Sequence, residues 1–464
     1  MNKRVTGRSL VVALGMVAAA FVSSQASAQT TNPDAVVGAQ PEYPGIPPSQ
    51  NKLEGEIGSY RVRLYGTILL NTSASDAAIV GQDVPLWTAP STGNVAYPDG
   101  SVGPASTSHD LIFTMRQSIV GLALTPAHAS TNAWSPSGLI EADFFGARPV
   151  DTLQPLNRVL NTPRLRLAYF QLEHKSLRIV FGQDKMILAP LDPVSLSHVA
   201  MPLGATAGNL WAWSPQVRVD YHPMVGSTGL LFQVGVLRPQ FGDTRLEAFP
   251  AAGTSIDLTS SGLGERSTQP FYQARFAVSP PLLGRTATIG VSGHYGMEQI
   301  GVDHNLTSSA GAVDLHLPLT HYFTLRGEAF TGSNLIPFQG GIDQGAAVLA
   351  APVTTAPPLT IRGIRSSGGW GELTVIPDHS NKNVVYAGAG TDQPQNSTLL
   401  PGTTRVENTF LWASYFRKLT DNVTAAIEWS QWRFYTVTFT NNLLGPVGPD
   451  NKANVLNVSF AYQF

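Results

Sequence analysis

Nine arginines stand where the alternation of a strand would turn them all to one side: Arg61, Arg63, Arg116, Arg164, Arg166, Arg178, Arg218, Arg275 and Arg326. A guanidinium stays ionised and offers a planar fork of donors that fits a carboxylate. Lined along a pore wall, such groups favour anions. All but Arg326 fall in the first eight candidate strands, so the basic wall is expected on one side. Glu141, Asp143, Asp314, Glu328 and Glu428 share that orientation. Two readings follow: a charged lining that sorts solutes, or arginine–carboxylate pairs that brace the wall. Opposed charges would orient dipolar solutes under either.

Catalytic signals are sparse. The ten histidines are scattered, with no His-Glu-x-x-His spacing, no Gly-x-Ser-x-Gly elbow and no phosphate-binding Gly-rich loop with Lys. Cysteine is absent, which removes disulfides and thiolate metal sites. Neither a cofactor nor a metal is implied, and no enzymatic activity is expected. His294 and His316 lie on polar faces of neighbouring strands, so a hydrolase built into a barrel stays open as an alternative.

The elements that would hold these side chains read as strands. Candidates lie near 60–71, 109–124, 138–146, 163–173, 176–184, 215–222, 228–238, 269–279, 286–297, 309–318, 321–331, 361–376, 382–391, 405–417, 422–436 and 452–464. Most alternate: Val62, Leu64, Gly66, Ile68 and Leu70 oppose Arg61, Arg63, Tyr65 and Thr67, and Leu165, Leu167 and Tyr169 oppose Arg164, Arg166 and Ala168. A charged side chain facing lipid at mid-depth costs about 2–4 kcal/mol, so the charged faces are expected inside and the oily faces against lipid. Gln117, beside Arg116 and Ser118, breaks this parity and implies a bulge. Trp412, Tyr415, Trp429, Trp432, Tyr435 and Tyr462 are expected at the membrane interfaces.

The connections alternate in length. Long ones are Thr72–Ser108, Ala147–Thr162, Lys185–Ser214, Pro239–Thr268, Gly332–Thr360 and Val437–Asn451, and tight turns such as His222–Gly226 and Lys418–Asp421 lie between them. Thr125–Ser137 is longer than its class should be. This rule, together with an even strand count, is that of an outer-membrane barrel. Charged residues are 13% of the chain, against about 25% in soluble domains, and the net charge of −2 gives no reason to expect nucleic acid. A basic start, an apolar run at 11–22 and Ala26-Ser27-Ala28 predict a signal peptide over 1–28. A disordered, Pro- and Gly-rich periplasmic leader is expected over 29–58 and the barrel over 59–464, ending on Leu456, Val458, Phe460, Tyr462 and Phe464 of one face. A soluble secreted β protein is the remaining alternative.

Several segments in order resemble the DcaP-like outer-membrane porins: Arg116-Gln-Ser118, Ile140-Glu-Ala-Asp-Phe-Phe-Gly146, Arg164-Leu-Arg-Leu-Ala-Tyr169, Phe181-Gly-Gln183, Gly208-Asn-Leu210 with Pro215-Gln-Val-Arg218, Ser292-Gly-His-Tyr-Gly296, Arg326-Gly-Glu-Ala-Phe-Thr-Gly-Ser-Asn-Leu335 and Glu428-Trp-Ser-Gln-Trp-Arg433. The resemblance implies an all-β, sixteen-stranded transmembrane antiparallel up-and-down barrel in the outer membrane of a Gram-negative-type bacterium. It also implies a homotrimer, surrounded by outer-membrane lipid, that passes small hydrophilic and often anionic solutes such as dicarboxylates. The leader shows none of the heptads that often precede the barrel in that family, so trimer contacts are expected on the barrel walls. In general porins the connection corresponding to Lys185–Ser214 folds inward. That makes Lys185, Asp192, His198, Asn209 and Trp211 the expected constriction.

Overall fold

A computed structural model describes residues 53–89, 93–128, 133–146, 162–241, 262–301, 304–349, 360–378, 380–440 and 443–464. The expected signal peptide and most of the leader lie outside the described residues. Sixteen strands form the wall. They are β1 Tyr60–Ser75, β2 in two pieces (Asp110–Thr114 and Ile119–Pro126), β3 Ser135–Gly146, β4 Thr162–His174, β5 Leu177–Lys185, β6 Trp213–Tyr221, β7 Thr228–Leu237 and β8 Phe271–Ser279. The second half is β9 Thr288–Gly301, β10 His304–Pro318, β11 Phe323–Ser333, β12 Arg365–Val375, β13 Asn383–Pro394, β14 Arg405–Lys418, β15 Val423–Thr440 and β16 Asn451–Gln463. Each is antiparallel to its neighbours in sequence, and β16 returns to β1 with Thr67 opposite Gln463 and Ser75 opposite Val455. Closure leaves no barrel strand with an open edge, which lipid, having no hydrogen bonds to offer, requires. The expected fold class and strand count are borne out.

The two faces of β16 differ as its alternation predicts. Leu456, Phe460 and Tyr462 are exposed, while Asn457, Ser459 and Gln463 are buried inside. The outer belt continues through Ile427 and Trp429 on β15, Ile68 and Leu70 on β1, and the cross-strand row Phe276, Val291 and Val313 on β8 to β10. These side chains stand in the position of lipid contacts.

Three expectations need correction. Trp412 and Trp432 are not interfacial: both face inward, 2% and 0% exposed, and stack on Phe410. In β4 the register against β3 slips between Leu165 and Leu167, so one extra residue, Arg166, occupies the inner wall. Leu167 and Tyr169 therefore turn inward, reversing the parity read from the sequence, and Leu167 is buried opposite Glu141. Finally, the end of the expected leader is ordered: Leu53–Ile57 pairs with the first residues of β1. It continues the seam below the point where β16 runs out.

The parity break at Gln117 is a bulge. Between the pairs Asn71–Thr114 and Thr67–Ile119, four residues of β2 oppose three of β1, and Gln117 points inside, 1% exposed.

At the closing seam Gly66 and Phe464 exchange two backbone hydrogen bonds of 3.2 Å. A Cβ on Gly66 would sit 2.5 Å from the Ile119 carbonyl oxygen and 2.6 Å from the Phe464 ring. Gly66→Val should therefore open the seam. The check is the fraction of chain reaching the heat-modifiable folded band on a detergent gel, which should fall well below wild type.

Candidate functional site

Backbone N–H and C=O groups taken into a barrel must find partners there. The connection Met186–Ala212, between β5 and β6, does so by running around the inside of the wall as a hoop. Gln273 Oε1 on β8 accepts Ile187 N–H at 2.8 Å and Leu188 N–H at 3.0 Å. Ser292 Oγ on β9 accepts Ala189 N–H at 3.3 Å, and Glu328 on β11 accepts Leu191 N–H at 2.5 Å. Glu372 on β12 accepts Val194 N–H at 2.6 Å. On β15, Glu428 Oε1 lies 3.3 Å from Ser197 Oγ, which donates to it, and 3.2 Å from His198 Nδ1. The circuit closes on β2 and β4. Gln117 Oε1 accepts Val199 and Ala200 N–H at 2.9 and 3.1 Å, and Arg166 and Arg164 donate to the Val199 and Ala200 carbonyls at 3.0 and 2.7 Å.

Apolar contacts fill what remains. Val194, Leu196 and Val199 pack on Leu69, Ile119 and Phe416 of the wall. On the return, Leu203 and Ala207 pack on Trp370, Phe410, Trp412 and Trp432. That explains the inward tryptophans: they are a bed for the hoop, not an interface belt. Two further loops join it. Thr206 Oγ1 and Asn408 Nδ2 both donate to the Leu86 carbonyl at 2.7 Å, and Trp211 N–H donates to the Phe338 carbonyl at 3.1 Å.

The inward arginines are nearly all paired. Asp143 accepts Arg164 at 2.6 Å and Arg166 at 3.1 Å, and Glu141 accepts Arg166 at 2.7 Å. Asp220 takes Arg178 at 2.7 Å and Arg218 at 3.1 Å, with Asp184 on Arg218 at 2.9 Å. Arg275 meets Asp314 at 2.6 Å, Arg326 meets Glu372 at 3.5 Å, and Arg116 pairs with Asp83. Arg61 is at the rim, exposed, 3.7 Å from Glu56, and Arg63 lies 5.8 Å from the centre of the Tyr65 ring. In four of these pairs water touches mainly the arginine. The Arg164 and Arg178 side chains are 26% and 33% exposed, whereas Asp143 and Asp220 are at 0%. Arg116 and Arg326 show the same asymmetry against Asp83 and Glu372.

Of the five expected constriction residues, Lys185 and Asp192 pair with each other and stay partly exposed. Asn209 is buried against Asp192 and the Leu203 carbonyl, His198 is buried against Glu428, and Trp211 is buried edge-on to Trp213. Asp83, Phe145 and Trp213 escaped the sequence reading. Phe145 lies near Arg116 and Arg164, which are 4.0 and 5.0 Å from its ring centre, and Trp213 lies near Arg164 and Arg166 at 5.0 and 4.5 Å. Asp83 sits in a loop without periodicity, so alternation could not find it. Away from the membrane-spanning strands, Arg238 donates to Glu265 at 2.7 Å and holds its carboxyl below the ordinary range. Among the described residues no group of three or more His, Asp or Glu is arranged to hold a metal ion.

No family model matches the chain, and none of the curated proteins does. Solved structures do. The outer-membrane channel DcaP of Acinetobacter baumannii is similar with a TM-score of 0.59 at 14% identity, over 88% of this chain and 99% of that one. An anion-selective porin from Comamonas acidovorans is similar with a TM-score of 0.50 at 9% identity, over 87% and 100%. At these identities the likeness is one of fold, and the fold is that of outer-membrane porins. The resemblance read from the sequence holds at that level.

The hoop's anchors are testable singly. Gln273→Leu strands two buried N–H groups, each worth about 1–3 kcal/mol. The folded barrel should lose about 2 kcal/mol or more in urea titration, and a value near zero would count against the anchoring.

Proposed function

We propose that this chain is an outer-membrane porin through which small hydrophilic solutes diffuse passively, with a lean toward anions. One observation carries the lean: in the wall pairs, the guanidiniums of Arg116, Arg164, Arg178 and Arg326 meet water, while their carboxylates sit behind them. A passing solute meets the cationic member of each pair first. Wall charge and aperture then select, and the gradient alone drives passage. Small dicarboxylates fit forked donors of this kind, and the two similar structures, an outer-membrane channel and an anion-selective porin, agree with the reading. Assembly as a homotrimer through the barrel walls, within outer-membrane lipid, belongs to the same proposal.

A hydrolase is the weaker reading. His294 Nε2 lies 3.1 Å from Ser308 Oγ, but that serine is fully buried and its hydroxyl donates to the Asn334 carbonyl at 2.8 Å. Such a hydroxyl is neither reachable nor free to attack.

Planar-bilayer recordings across a salt gradient test the proposal. Wild type should give an anion-selective reversal potential. Arg164→Gln with Arg178→Gln should move it toward zero or beyond, because Arg166 and Arg218 still hold Asp143 and Asp220 in place. Cation preference in wild type, or no shift in the double variant, would refute the lean.

A further inference from the structure

We infer that Gln117 is the positioning residue of the channel: it fixes the apex of the hoop and thereby sets both aperture and charge selection. This rests on the porin reading and deepens it. The extra residue of β2 lies between Thr114 and Ile119, and counted by strict alternation from the inward Thr114, Gln117 would point toward lipid. Turned inside, its amide is used at both ends. Oε1 accepts Val199 and Ala200 N–H. Nε2 donates to the Ser197 carbonyl at 2.7 Å and reaches Asp83 at 3.3 Å. One side chain thus satisfies two donors and one acceptor in four successive residues of the hoop, with its own polar groups buried.

The carbonyls of the same two residues are held by two arginines of the wall, Arg166, which is buried, and Arg164, which meets water. Arg166 donates to the Val199 carbonyl and Arg164 to the Ala200 carbonyl. The apex is therefore gripped between Gln117 and two members of the basic wall. Asp83 links the grip to a second arginine contact, since it takes both Gln117 and Arg116. If Gln117 lets go, Val199 and Ala200 lose their acceptor, the apex moves off the wall, and Arg164 and Arg166 lose carbonyl partners with it. The freed apex then stands in the passage and fluctuates there, Arg164 and Arg166 no longer hold one position toward a passing ion, and their selection weakens.

The test uses the full-length barrel, folded and heat-modifiable, in planar bilayers. Gln117→Leu keeps bulk and removes every hydrogen bond. It should lower single-channel conductance, raise open-channel noise and lose part of the anion reversal potential. Gln117→Glu keeps an acceptor for Val199 and Ala200 but cannot donate to Ser197, so its noise should lie between wild type and Gln117→Leu. A residue that only stabilised the wall would change the yield of folded barrel and leave conductance, noise and reversal potential as in wild type, and that result overturns the inference. Should Gln117→Leu fail to fold, Gln117→Glu decides alone: raised noise supports the role and wild-type noise sinks it. A wild-type barrel that passes no current would instead overturn the porin reading itself.

Discussion

A peptide group carried into the middle of a membrane barrel has to be given hydrogen-bond partners there, and most of this molecule's interior follows from that requirement. The wall closes β16 onto β1 and so satisfies its own backbone. The hoop cannot do the same, because it has no regular structure to pair with. It draws instead on side chains projected from the wall: Gln273, Ser292, Glu328, Glu372, Glu428 and Gln117 in turn. Each lies on a different strand, so the path of the hoop is written into the inner face of the barrel. A carboxylate or amide left buried without a partner costs about 1–3 kcal/mol, which binds wall and hoop to each other in both directions.

The charge distribution follows from the same geometry. Carboxylates of β11 and β15 face hoop N–H or O–H groups, those of β3, β6 and β10 face arginines, and Glu372 of β12 meets both the hoop and Arg326. For Arg116, Arg164, Arg178 and Arg326 the carboxylate lies deeper and the guanidinium is left toward solvent, so pairing does not erase the positive face there. Bracing the wall and sorting solutes, opposed in the sequence reading, turn out to be compatible. The aromatic rings of Phe145 and Trp213 add to this by lying within cation–π distance of Arg116, Arg164 and Arg166.

The fold was legible because lipid imposes a period of two. Leu456, Phe460 and Tyr462 could be placed outside, and the strand count followed from runs of that kind. The same rule failed where an extra residue entered. Arg166 in β4 shifted Leu167 and Tyr169 inward, and no pattern of residue types announces a slip in pairing. Gln117 was visible as an anomaly, since a polar residue beside two others cannot alternate, but its partners lay on a connection without periodicity. The tryptophans misled for a related reason. Trp412 and Trp432 carry the composition of an interface belt, and only the hoop packed against them reveals why such large rings face inward. The inserted loop's residues could be named from the resemblance, but which of them meet water depended on contacts between distant segments.

Hydrogen exchange by mass spectrometry on the folded barrel tests the central claim most directly. If wall side chains hold the hoop's backbone, the amides of Ile187, Leu188, Leu191, Val194, Val199 and Ala200 should be protected nearly as well as those of the barrel strands. Exchange of that stretch as fast as an open surface loop would mean that the hoop is not fastened inside, and the account of the lumen would fail with it.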